Sequence, residues 1–303
     1  MPKRLFLGVD IGSTGSKVAL MDDEGRCLNA LSVKHGVHHE RPDWSEHDAE
    51  TDWWNDFVDL VRKCVSVVGI RRVEDWAAHP DFILAALGVC GLVPCLLPLG
   101  ERGQPLRRAI LYSDNRAAEE ADCASRVLSK RIGTEAVVPK VLWLKAHEPQ
   151  IYQQTRVVLT AHSFIVFRLT GNQTIDFDTA NIMGGVFDNQ SLSWGPDDLF
   201  GTLGLRQDLI PRPLPATAIA GHVSEQASVE TLLPEGTPVI TGTGDSYTAL
   251  LGCGAIEPGD AMIYCGTSGT LMLCNVPLES VASTVHVSEP LHISFLQNVL
   301  TAG

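Results

Sequence analysis

An α/β fold, with a complete first domain and the opening of a second, is what the sequence predicts on three observations. The N-terminal segment reads as three strands joined by two tight turns. Helix-periodic stretches then alternate with short apolar runs, the pattern of helices crossing a largely parallel sheet. Two strand–turn–strand units with Gly/Ser/Thr turns, at Gly12–Ser16 and Gly266–Thr270, stand far apart in the chain. The 303 residues suffice for about two domains. The division expected is residues 1–250 and residues 251–303.

Bulk properties narrow the function. An apolar fraction of 45% supplies a sizeable core. A net charge of −13 without any Lys/Arg run argues against nucleic acid or an anionic membrane as partner. The longest apolar runs, such as Phe82–Leu87, are far too short to span a membrane. The start, MPKRLFLGVD, lacks a signal-peptide pattern and enters a strand at once. The eight cysteines include no CxxC pair, and most sit in apolar runs. They read as reduced core residues of a cytoplasmic protein rather than as a metal site or disulfide set.

In order, Leu5, Phe6, Leu7, Val9 and Ile11 have the bulk and branching of a buried strand. Lys17–Leu20 returns as a second strand, and Cys27–Val33 follows the polar turn Asp22–Gly25 as a third. An antiparallel trio leading into helices and parallel strands is the opening of a ribonuclease-H-like fold. His35–His47 is irregular. Asp48 is placed to cap a helix in which Trp54, Phe57, Val58, Val61 and Val65 recur at helical spacing. Strands are predicted over 82–89, 95–99, 109–111, 156–159 and 237–241, with extended segments over 174–187. Helices are predicted over 114–130, 140–147, 162–169, 196–203 and 225–233.

The Gly12–Ser16 turn combines glycines, which allow close backbone approach, with hydroxyls and exposed N–H groups suited to phosphate. Asp10, just before it, supplies a carboxylate suited to hydrated Mg²⁺, and Lys17 adds a positive charge. An ordinary hairpin with a Gly/Ser-rich turn would read the same way. The second unit repeats the composition through Gly266, Thr267 and Ser268. Two such hairpins suit a polyphosphate gripped from both sides. After the strand at 237–241 comes Gly242-Thr-Gly-Asp245, at the start of an apolar helix. Strand ends facing a cleft are where α/β folds place ligands. Phosphoryl transfer to an alcohol needs a phosphate-and-metal clamp and a base near the attacking hydroxyl. Asp10 and Asp245 divide those roles, although Asp245 also suits a plain helix cap.

Seven stretches in order resemble the FGGY carbohydrate kinases, in the sugar-kinase and actin superfamily. They are GVDIGSTGSK; Pro42–Asp48 with Trp53 and Trp54; Ala109–Arg116; Pro139–Lys145; Phe164–Gly171; Gly242–Asp245; and Gly266–Gly269. The resemblance implies a sugar-binding first domain, an adenine-binding second domain, and ATP with Mg²⁺ between them. It implies ATP-dependent phosphorylation of a sugar or polyol hydroxyl with Asp245 as base, and dimers occur in the family. The ATP phosphates would contact Gly12, Ser13, Thr14, Gly15, Ser16, Lys17, Gly266, Thr267 and Ser268. Trp44, Glu46, Asp114, Arg116 and Asp245 are expected to touch the sugar, the first four equally suiting loop packing or a local Asp–Arg ion pair. Two departures stand out. Where relatives carry sugar-contacting polar side chains, this chain has Gly91-Leu-Val-Pro-Cys95. The chain also stops where most of the second domain would follow, which leaves a non-enzymatic sugar- or phosphate-binding remnant as the alternative function.

Overall fold

The computed structural model describes residues 2–265, 269–274, 285–288 and 293–296. The expected antiparallel trio is present: β1 (Lys3–Ile11), β2 (Gly15–Asp22) and β3 (Cys27–Lys34). Helix α1 (Asp56–Val65) follows, then β4 (Phe82–Gly91), which pairs parallel with β1. After helix α2 (Ala161–Thr170), the strands β5 (Ile219–His222), β6 (Pro238–Ile240) and β7 (Thr243–Gly244) complete the main sheet. Its order is β5-β6-β4-β1-β2-β3, with β7 also beside β4. Helix α3 (Asp245–Gly252) leaves directly from β7.

Among the described residues the helices cover one face of the sheet, so the first strand is buried on one side rather than on both. Leu5, Leu7, Val9 and Ile11 point toward the core built on Trp53, Phe57, Val61, Phe164 and Ile165. On the opposite face Phe6 is 36% exposed, and Gly8 is exposed beside it. Strand alternation sends successive side chains to opposite faces, and α1, α2 and the helix Glu225–Thr231 pack into the core on one of them.

Local chemistry explains the helix boundaries. Asp48 caps as predicted, accepting from the Glu50 and Thr51 N–H groups at 3.0 and 3.1 Å. The first turn, Ala49–Asn55, is a π-helix before α1 begins. The polar helix expected from Asp114 starts at Ala118, because Asp114 is committed to Arg116 and the Ser45 N–H. The segment read as extended over 174–187 contains a short helix, Phe177–Asn181, which Asp176 caps through the Thr179 N–H at 2.9 Å.

Between β6 and β7 the chain turns at Gly242, with φ of 75°. A Cβ there would lie 1.9 Å from the Val89 carbonyl oxygen of β4. Gly242→Ala is therefore expected to cost at least about 2 kcal/mol, through backbone strain and collision. A urea melt should show a lower midpoint at unchanged slope.

The strands Ala261–Cys265, Gly269–Cys274, Ile293–Leu296 and Val285–Ser288 form a separate sheet in that order. Met262 and Met272 bury against Tyr247 and Leu250 of α3, whereas Ile263 is 71% exposed. The cysteine expectation holds in part. Cys64 and Cys95 are buried and Cys90 is half-buried, but Cys27, Cys123 and Cys253 are exposed, and all six are free thiols. Among the described residues no helix is long and apolar enough to cross a membrane.

Candidate active site

Strand register assembles the site. Asp10 of β1 pairs with Cys90 of β4, and Cys90 pairs on its other side with Thr243 of β7. Gly91, one residue on, lies between Ile11 and Gly244. With strands about 4.8 Å apart, the end of β1 and the start of α3 flank the same two residues of β4. Asp10 and Asp245, remote in sequence, are thereby brought to one edge.

The Asp10 Oδ2 accepts from Lys17 Nζ at 2.8 Å, and the Cys90 thiol points at its Oδ1 from 3.7 Å. The Asp10 hydrogen bond raises the Lys17 pKa, so the ammonium stays charged. Burial, then the Asp10 charge, pushes the Cys90 thiol up to about 12 and keeps it protonated. Asp245 is half-buried at the first position of α3. Its Oδ1 accepts from the Ser246 N–H at 2.7 Å. Burial and then the Asp10 charge raise its pKa. Two carboxylates and one ammonium thus share an edge.

The 12–16 turn sits beside them. Gly15 is required by close approach, since a Cβ there would lie 2.2 Å from the Val33 carbonyl oxygen. Ser16 is fully buried, its hydroxyl without a hydrogen-bond partner among the described residues, and the Ser13 hydroxyl lies 3.4 Å from the Tyr112 hydroxyl. Gly266, Thr267 and Ser268 lie outside the described residues. A groove of about 680 Å³ runs from Asp10 and Lys17 along the open sheet face, past Gly8, Ala19, Gly88 and Thr248.

Asp10 fits the usual way of holding Mg²⁺, through one carboxylate and substrate phosphates rather than a protein cage. Among the described residues no group of three or more His, Cys, Asp or Glu could hold a metal by itself.

The expected sugar contacts are brought together, but with one another. The Arg116 guanidinium binds both Asp114 oxygens at 2.7 and 2.8 Å and Glu46 at 2.7 Å. Arg107 bridges Glu46 to Glu148. Trp44 stacks 3.6 Å from the Arg116 guanidinium. The side chains of Glu46, Asp114 and Arg116 are 3%, 0% and 1% exposed. The Asp114–Arg116 contact is the local ion pair that the sequence also allowed, and Glu46 joins it. In the Gly91–Cys95 segment Leu92 and Cys95 are fully buried, and Val93 lies against Gly244.

Sequence reasoning missed Cys90, Tyr112 and His35. Only the position of Cys90 at a predicted strand end carried any signal. The other two contact the turn across 99 and 23 residues of sequence.

Residues 5–252 match the N-terminal domain of the FGGY family of carbohydrate kinases. The chain belongs to that family. It is 29% identical over 273 residues to the xylulose kinase of Escherichia coli K12, covering 88% of this chain and 53% of that protein. It is 30% identical over 281 residues to the xylulose kinase of Streptomyces rubiginosus, again covering 88% and 53%. The crystal structure of xylulose kinase from Rhodospirillum rubrum has the same fold, with a TM-score of 0.84 at 23% identity, covering 96% of this chain and 59% of that one. The chain thus spans about half the length of the curated relatives it matches. The α/β, ribonuclease-H-like fold expected of an FGGY kinase is the one observed.

Proposed function

We propose that the whole protein is an ATP-dependent carbohydrate kinase that phosphorylates a hydroxyl of a sugar or polyol. The observation that carries this reading is the pairing of Asp10 and Asp245 across Cys90 and Gly91, beside the 12–16 turn. The kinase names of the relatives support it.

In this reading the 12–16 turn and Lys17 hold ATP phosphates by backbone N–H groups, hydroxyls and charge. Asp10 holds Mg²⁺, which when bound neutralises charge on the phosphates. Asp245 takes the proton from the attacking hydroxyl. The Ser246 N–H holds Oδ1, and among the described residues no hydrogen bond reaches Oδ2. Burial and the neighbouring Asp10 raise the proton affinity of Asp245, which suits a base. The apolar Gly91–Cys95 segment gives the acceptor few side-chain hydrogen bonds on its side of the site, which selects on shape more than on hydroxyl pattern.

The test is acceptor-dependent ADP release across pentoses, ketoses, polyols and sugar acids, with a parallel thermal-shift screen with and without Mg·ATP. At least one acceptor should raise ADP release well above the acceptor-free rate. Ligand-induced stabilisation without turnover in the whole protein would instead favour a binding remnant. For Asp10→Ala the Mg²⁺ titration of activity should flatten and shift to higher concentration. An unaltered titration removes Asp10 from the metal site.

A further inference from the structure

His35 lies just past β3, in the stretch that reads as irregular, and its side chain is 6% exposed. It touches the 12–16 turn twice. Its ring Nε2 is 2.9 Å from the Gly12 carbonyl oxygen, and its backbone N–H donates to the Thr14 carbonyl at 3.2 Å. Its Nδ1 is 2.8 Å from Asp56 Oδ2 on α1.

A carbonyl oxygen can only accept, so Nε2 must carry a proton. One further proton lies between Nδ1 and Asp56, whether the pair is written as imidazolium and carboxylate or as imidazole and carboxylic acid. The Gly12 carbonyl thus fixes the Nε2 proton, and Asp56 holds the other ring nitrogen and orients the ring. A second histidine stands behind the same turn. His47 is fully buried, its ring 4.9 Å from that of His35, and its Nδ1 accepts from the Trp53 indole N–H at 3.0 Å. That donor leaves the His47 proton on Nε2, which faces the Ser13 backbone. Burial, then the neighbouring His35, lowers the His47 pKa to about 4 and keeps it neutral.

The peptide bond is planar and trans, so each C=O points opposite to the N–H that follows it. Holding the Gly12 and Thr14 carbonyls toward His35 turns the Ser13 and Gly15 N–H groups away from it. Successive N–H groups directed to one side form an anion-binding concavity.

We infer that His35, oriented by Asp56, is a positioning residue for this turn: it fixes two alternate carbonyls from behind and so presents the Ser13 and Gly15 N–H groups to the phosphates of Mg·ATP. The phosphate part rests on the function proposed above, whereas the clamp itself does not.

The test uses ¹⁵N-labelled protein with His35→Phe, His35→Gln and Asp56→Asn. In long-range ¹H–¹⁵N spectra the His35 Nε2 should show the shift of a protonated ring nitrogen. A bare Nε2 overturns the clamp. The protection factor of the Gly12 amide, which donates to the Gly15 carbonyl across the turn at 3.1 Å, should fall about tenfold in His35→Phe, the scale of one lost hydrogen bond, while those of β4 stay constant. His35→Gln, which keeps a donor for Gly12, should restore most of the loss. Equal protection in wild type and His35→Phe overturns the clamp. Asp56→Asn should leave Nε2 protonated, because its amide N–H can donate to Nδ1, and loss of turn protection there counts against the assigned proton pattern. In Mg·ATP titrations His35→Phe should bind about tenfold more weakly, again the scale of one hydrogen bond, with His35→Gln close to wild type. An intact clamp in a protein that does not bind Mg·ATP overturns the phosphate role and the function it rests on, and leaves the clamp standing.

Discussion

With Asp245 as the proposed base, replacing it with asparagine is expected to lower turnover of the whole protein by about 10²-fold or more, the scale of a lost general base, with Mg·ATP affinity nearly unchanged. Asparagine keeps the shape and can still accept from the Ser246 N–H, so α3 should start normally. What it cannot do is take a proton. Steady-state kinetics with a separate nucleotide titration check both halves, and undiminished turnover removes Asp245 from the mechanism. The acid limb of the wild-type pH–rate profile should lie above the ordinary carboxylate value of about 4, because burial and Asp10 raise the Asp245 pKa.

Stability should move the other way. A carboxyl whose folded-state pKa is raised above its unfolded value costs nothing below the unfolded pKa. The cost sets in as pH rises through the folded pKa and is complete above it. Asp245→Asn should therefore melt higher than wild type at neutral pH, with the gap closing as pH falls toward 4. Melting curves at the two ends of that range decide it. A variant less stable than wild type at pH 7 would mean that the ionised carboxylate is stabilised by its surroundings.

The second large effect lies in the buried network. Arg116→Leu leaves Asp114 and Glu46 inside the protein without their shared cation. Removing one member of a buried ion pair costs about 3–5 kcal/mol, a large part of the roughly 5–15 kcal/mol that holds a domain together. The urea midpoint should fall steeply, and adding Asp114→Leu should recover part of the loss, because the stranded charge goes with it. A variant that keeps its midpoint but loses sugar binding would return Arg116 to the acceptor site.

The network also shows where sequence reading runs out. Trp44, Glu46, Asp114 and Arg116 are recognisable as a set in the sequence, yet their residue types suit a sugar site and an ion cluster equally. Exposure separates the two, and exposure depends on what packs over them, here Trp143 and Arg107 from other parts of the chain. Asp48 was readable as a cap because its partners are two and three residues away. The short helix after Asp176 was not, because its extended flanks masked an equally local cap.

By itself the sequence determined the α/β class, the three-strand opening, most helix positions, the two hairpins and the family, because these rest on periodicity, turn chemistry and motif order over short spans. Only the tertiary structure decided that Asp10 and Asp245 flank Cys90 and Gly91, that the helices among the described residues pack on one sheet face, and that His35 reaches back to Gly12. Each of those facts is a register or a contact between segments far apart in the chain. Local residue preferences carry no record of which strand lies beside which, and that adjacency is settled by how the folded core closes.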